Sequence, residues 1–204
     1  MNSISVIPRE KDWVGDENSV FKTLGASSHT SDDREQDDFY ATEPKAIDIL
    51  CGVEKFEGRI WECACGQGHL SKRLIDMGYE VISSDLIDRG YGVGGIDFLK
   101  CSRPFDGNII TNPPYKYAKE FVEKALELIP NGKKLAMFLK LQFLEGKARK
   151  EMFVMHPPKV VYVSSSRLLC AKNAVFHDKG SAVAYCWYIW EKGYQGDTIL
   201  RWIN

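Results

Sequence analysis

The stretch Arg59-Ile60-Trp61-Glu62-Cys63-Ala64-Cys65-Gly66-Gln67-Gly68 runs from an apolar segment of strand length straight into a turn with two glycines. A helix-like segment from His69 to about Met77 follows, and Gly78 closes it. Glycine lets the chain turn sharply and lets the backbone come close to a ligand. Glu80-Val81-Ile82-Ser83-Ser84 then reads as a second strand, ending at Asp85. Strand, glycine turn, helix and strand make a βαβ unit with a right-handed crossover. Its terminal acid, 19 residues after Gly66, is placed to accept hydrogen bonds from a ribose diol. Ser71 stands where a dinucleotide fingerprint carries its third glycine, which argues against a dehydrogenase.

Downstream, Asp97-Phe98 marks a junction after a glycine-rich stretch. A fourth strand, Asn108-Ile109-Ile110, delivers the segment Thr111-Asn112-Pro113-Pro114-Tyr115. The helix Lys116–Leu128 carries Phe121, Val122, Ala125 and Leu128 on one face. After the Pro130-Asn131-Gly132 turn comes a fifth strand, Lys134–Lys140, and two late strands cover Val160–Val163 and Ala182–Trp190. Trp187, Tyr188 and Trp190 on the last of these are expected in the core. Upstream, Phe39-Tyr40-Ala41-Thr42-Glu43-Pro44 reads as a helix start, with Thr42 as N-cap and Pro44 in the first turn of a helix running to about Leu50. Strands alternating with helices predict an α/β fold with a mostly parallel sheet covered on both faces.

The segment around Asn112 carries chemistry. Each proline fixes its own φ and pushes the residue before it out of helical space, so Asn112 and Pro113 are held extended. An amide oxygen, a stiff backbone carbonyl and the Tyr115 ring suit the gripping of a planar group that bears an –NH2. The lone pair of such a nitrogen is delocalised, which makes it a poor nucleophile. Two acceptors on its hydrogens stabilise the positive charge that develops during attack, with no strong base required.

The 204 residues are 44% hydrophobic and 27% charged, which fits one domain with a full core, spanning residues 39–204. Residues 1–38 are expected to form a polar arm that ends in the charge run Asp32–Asp38. That arm holds nine acids and four bases, leaving 19 acids and 23 bases in the remainder. A mildly basic body is compatible with a nucleic-acid partner. No apolar run approaches the roughly 20 residues that cross a bilayer, so no membrane partner is expected. The six cysteines show no pairing with zinc-like spacing, so no metal is expected and buried thiols in a reducing cytoplasm are. The sequence carries no readable trace of oligomeric state.

With these pieces in place the chain resembles the class I S-adenosylmethionine-dependent methyltransferases, and within them the group acting on exocyclic amines. Glu62 to Gly68 is similar to the family's cofactor loop, and Asp85 to its ribose-binding acid. Asp97-Phe98 resembles the pair that flanks the cofactor's adenine, and Asn112-Pro113-Pro114-Tyr115 matches the catalytic motif letter for letter. Phe39–Pro44 resembles the segment that lies against the methionine end of the cofactor. The resemblance thus implies S-adenosyl-L-methionine as cofactor, bound by Tyr40, Thr42, Pro44, Glu62, Ala64, Cys65, Gly66, Gly68, Asp85, Leu86, Asp97 and Phe98. It also implies a Rossmann-like sheet of seven strands whose last hairpin supplies an antiparallel edge.

Most similar are small phage- or prophage-type adenine-N6 DNA methyltransferases, which extrude the target base. The resemblance makes Tyr115 the platform for that base, and Phe176 a second aromatic on its other face. Lys140, Lys147, Arg149 and Lys150, with Arg167, Lys172 and Lys179, are candidates for phosphate contacts at the same rim. DNA-modifying relatives carry a long target-recognition region that this chain has no room for, so the substrate stays open at this stage. RNA adenine and a protein glutamine amide are chemically similar acceptors. A non-catalytic cofactor- or DNA-binding protein is the alternative of another class, and the intact motif around Asn112 argues against it.

Overall fold

The computed structural model describes residues 40–166, 168, 170–172 and 183–204, and the polar arm expected over residues 1–38 falls outside them. The elements are β1 (Tyr40–Thr42), α1 (Lys45–Val53), β2 (Ile60–Glu62), α2 (His69–Asp76), β3 (Val81–Ser83), β4 (Asn108–Thr111), α3 (Ala118–Leu128), β5 (Lys134–Lys140), α4 (Lys147–Met155), β6 (Val160–Ser164), β7 (Cys170–Lys172), β8 (Tyr185–Glu191) and β9 (Ile199–Ile203). The main sheet has the order β3-β2-β4-β5-β8-β6-β9, and β1 pairs with β7 in a separate two-stranded sheet. Strands β3, β2, β4 and β5 are parallel. β8 runs antiparallel to both β5 and β6, so the expected antiparallel pairing enters on that side of the sheet, at an inner strand with β6 and β9 beyond it.

Two apolar strands hold the centre. Side chains alternate across a strand, so each strand feeds both faces. Leu135, Met137 and Leu139 of β5 join Tyr188 and Trp190 of β8 beneath α3 and Met152 of α4. Ala136 and Phe138 join Trp187 and Ile189 on the opposite face, packed with α1 and with Leu70 and Leu74 of α2. Trp187, Tyr188 and Trp190 are all at most 1% exposed, as their core assignment requires. The indole of Trp187 donates to Ala46 O at 2.9 Å, which satisfies its one polar atom in an apolar setting.

The seven strands are not quite the seven read from the sequence. Counting the Asn108 segment as the fourth strand implies a third between Asp85 and Asp97. The structure has only a single bridge there, Ser84 to Val93. The reason lies in the glycines: Gly90, Gly92 and Gly95 all have positive φ, and the chain turns back rather than extending. The count is restored by β9, parallel to β6 and unforeseen in the sequence. Thr42 is another departure. It lies in β1 rather than capping α1, whose N-cap is Pro44 and makes no side-chain capping bond.

Candidate active site

The end of β2 with Cys65, the segments that follow β3 and β4, and β1 enclose a cavity of about 520 Å³, whose lining does not include Gly66 or Gly68. Its lining includes Thr42, Glu62, Ala64 and Cys65 from the first half of the predicted set, and Asp85, Leu86, Asp97 and Phe98 from the second. Asn112 and Pro114 of the motif line it as well.

The turn is built by backbone conformation. Gly66 and Gly68 have φ of 53° and 80°, a region that disfavours any Cβ. A side chain at Gly68 is excluded twice, since a Cβ there would lie 2.3 Å from the Tyr91 ring. Gly66 N donates to Asp85 Oδ2 at 2.7 Å, and Ile87 N donates to Asp85 Oδ1 at 3.0 Å. The carboxylate is thereby pinned at the strand end by two backbone donors, each oxygen keeping a further lone pair. Glu62 performs a related task from β2. One oxygen of its carboxyl group, Oε2, accepts Ser71 N at 2.8 Å and also the Ser71 hydroxyl, capping the first turn of α2 from outside the helix. Burial raises the Glu62 pKa to about 8, so at neutral pH the carboxyl is mostly protonated. Burial also pushes the Cys65 thiol up to about 12, which leaves it an inert lining group.

On the other wall, Asn112 Nδ2 donates to Thr42 Oγ1 at 2.9 Å. After the motif the chain enters a tight turn closed by Tyr117 N on Pro114 O at 2.9 Å, which uses the second proline's carbonyl rather than that of buried Pro113. Tyr115 lies outside the cavity lining. Its ring packs 6.2 Å from that of Tyr185, and Lys140 Nζ sits 4.9 Å from its centroid, within cation–π range. Behind it Tyr185 stacks on Phe138 at 5.1 Å, so Tyr115 is the outer member of an aromatic column rooted in the core.

Pro44 is exposed at the start of α1, away from the lining. Tyr40 pairs through its backbone with Lys172. Phe176, Arg167 and Lys179 lie outside the described residues. Arg149 is committed elsewhere: Nε donates to Phe143 O at 2.8 Å and Nη2 to Gln142 O at 3.2 Å, closing the turn before α4. The sequence reading missed Lys116, Tyr117 and Phe121 in the lining. They follow the motif directly, and the four-residue step from Tyr117 to Phe121 is one helical turn, a signal present in the sequence. It also missed Ile87 and Ile96, while His69, read as the start of the helix after the glycine turn, begins α2 and lines the cavity as well, its pKa lowered by burial. Among the described residues there is no cluster of side chains suited to a metal ion, and no helix is long and apolar enough to cross a membrane.

The sequence matches no family model and no curated protein. Solved structures do match. A Listeria monocytogenes protein provisionally described as a class I S-adenosylmethionine-dependent methyltransferase aligns over 90% of this chain and 71% of its own, at 14% identity and a TM-score of 0.58. An Agrobacterium tumefaciens protein described as an O-methyltransferase on prediction aligns over 76% and 85%, at 14% identity and a TM-score of 0.55. A Pyrococcus horikoshii protein provisionally described as an RNA methyltransferase aligns over 72% and 79%, at 16% identity and a TM-score of 0.50. The chain therefore has the fold of the class I S-adenosylmethionine-dependent methyltransferases.

Proposed function

We propose that the protein is an S-adenosylmethionine-dependent methyltransferase that methylates the N6 amine of adenine, with DNA as the polymer that carries the base. The supporting observation is that a single cavity joins the Asp85–Asp97 wall to Asn112. The lining fits the cofactor. A volume near 520 Å³ falls within the roughly 300–1,000 Å³ of small-molecule sites. The remaining lone pairs of Asp85 match a ribose diol, and Leu86, Ile87, Ile96 and Phe98 supply apolar surface for a purine. Glu62, neutral through burial, is poised to ionise when a cationic group enters.

Bound S-adenosylmethionine supplies a methyl group on a positively charged sulfur. The chain's own residues do the rest. Asp85 and Asp97 hold the nucleoside end, and Asn112 Oδ1 with the Pro113 carbonyl accept the two N–H groups of the incoming amine. Both acceptors gain strength as positive charge builds on that nitrogen, so they favour the transition state over the ground state. The proton shed afterwards passes to water. Tyr115 offers its ring to the extruded base, and Lys140 places a positive charge beside that ring for a phosphate.

Incubating the protein with methyl-labelled cofactor and, in parallel, DNA, RNA or protein tests the proposal. Label recovered as N6-methyladenine in DNA is expected. Label confined to RNA adenine or to a glutamine amide overturns the choice of polymer while keeping the chemistry, and no transfer to any of them overturns the chemistry too.

A further inference from the structure

An asparagine amide has two ends of opposite chemistry, an acceptor oxygen and a donor –NH2. Its last torsion is broad and roughly two-fold, so the side chain alone does not choose which end faces which way. Pro113 restricts the Asn112 backbone and has no bearing on that choice. Only the oxygen end can accept from a substrate amine, and an inverted amide would set –NH2 against –NH2. Something outside the motif must therefore hold the amide in place.

In the structure Asn112 Nδ2 donates to Thr42 Oγ1 at 2.9 Å, across 70 residues of sequence. Thr42 is 2% exposed and lines the same cavity as Asn112. Its own place is set by pairing within β1–β7, where it stands opposite Cys170. We infer that Thr42 is a positioning residue for methyl transfer: its hydroxyl oxygen takes the donor end of the Asn112 amide and so holds the side chain with its oxygen end left for the substrate amine. The inference rests on the proposed role of Asn112. It assigns Thr42 an action on the catalytic side chain, which is separable from any contact with the cofactor.

Thr42→Val removes the oxygen at nearly constant volume, and Thr42→Ser keeps it. For both variants three quantities are measured: kcat on the methylated polymer, cofactor affinity by calorimetry, and water exchange of the Asn112 side-chain amide by 15N NMR. Thr42→Val is expected to lower kcat by roughly 10- to 100-fold, the scale of a misplaced catalytic group, with a much smaller loss of cofactor affinity. Its Asn112 amide is expected to exchange faster, and Thr42→Ser is expected to restore both kcat and slow exchange. An unchanged kcat in Thr42→Val, a loss matched by an equal loss of cofactor affinity, or a Thr42→Ser variant as impaired as the valine would each overturn the inference. The exchange measurement needs no turnover. If the wild-type protein methylates none of the polymers, the proposed function fails, and the exchange rates still decide whether Thr42 holds the amide.

Discussion

The Asp85 wall of the cavity comes from one stretch, residues 62–99, whereas the Asn112 side gathers Thr42 of β1 and the segment after β4, with Tyr115 outside the lining beside Lys140 at the end of β5 and Tyr185 at the start of β8. In the first wall, backbone groups do most of the holding: Gly66 N and Ile87 N fix Asp85. In the second, side chains hold side chains, as Thr42 holds Asn112 and as Lys140 and Tyr185 flank Tyr115. The first kind of wall tolerates changes of side chain outside its glycines and its acid. The second depends on the sheet bringing distant residues to within hydrogen-bonding distance.

Substitutions can separate the two walls. Asn112→Ala is expected to lower kcat by about 10²–10³-fold, roughly 3–4 kcal/mol, as for the loss of one preorganised acceptor or donor. Cofactor affinity, measured by calorimetry, should stay within a few-fold of wild type; a large loss there would show the walls to be one unit. Asp85→Ala is expected to weaken cofactor binding by about 1–3 kcal/mol, the scale for hydroxyls that lose their buried acceptor. An unchanged dissociation constant would remove the ribose from that wall. The third test reads stability rather than function and concerns Glu62. Its folded-state pKa is raised from 4.5 to about 8, so its contribution to stability is fully present below pH 4.5 and is lost as pH rises through 8. Between those values the unfolding free energy should fall by up to about 1.4 kcal/mol per pH unit, as read by denaturant titration. Glu62→Gln should flatten that slope.

The same contrast explains what could be read in advance. The βαβ wall was legible because every cue lies within a few turns of its neighbours: glycines, an amphipathic helix and a terminal acid. The motif around Asn112 was legible because prolines act on adjacent residues. The bond from Thr42 was not, since it depends on β1 pairing with β7, where Thr42 stands opposite Cys170, 128 positions away. Thr42 looked like a helix cap because Thr-x-Pro is a good local start signal, and tertiary pairing overrode it. β9 escaped notice because Ile199, Leu200 and Trp202 show no alternation with polar residues and stay exposed. The missing third strand yielded to glycines whose turning tendency outweighed the expected sheet.

β8 has a consequence for how the protein comes into being. It lies between β5 and β6 yet follows both along the chain. Until residues 185–191 leave the ribosome, β5 keeps one open, apolar flank, and β6 has no place to attach. Assembly must wait for that last insertion, which delays collapse and lengthens the interval in which a nascent chain exposes sticky surface.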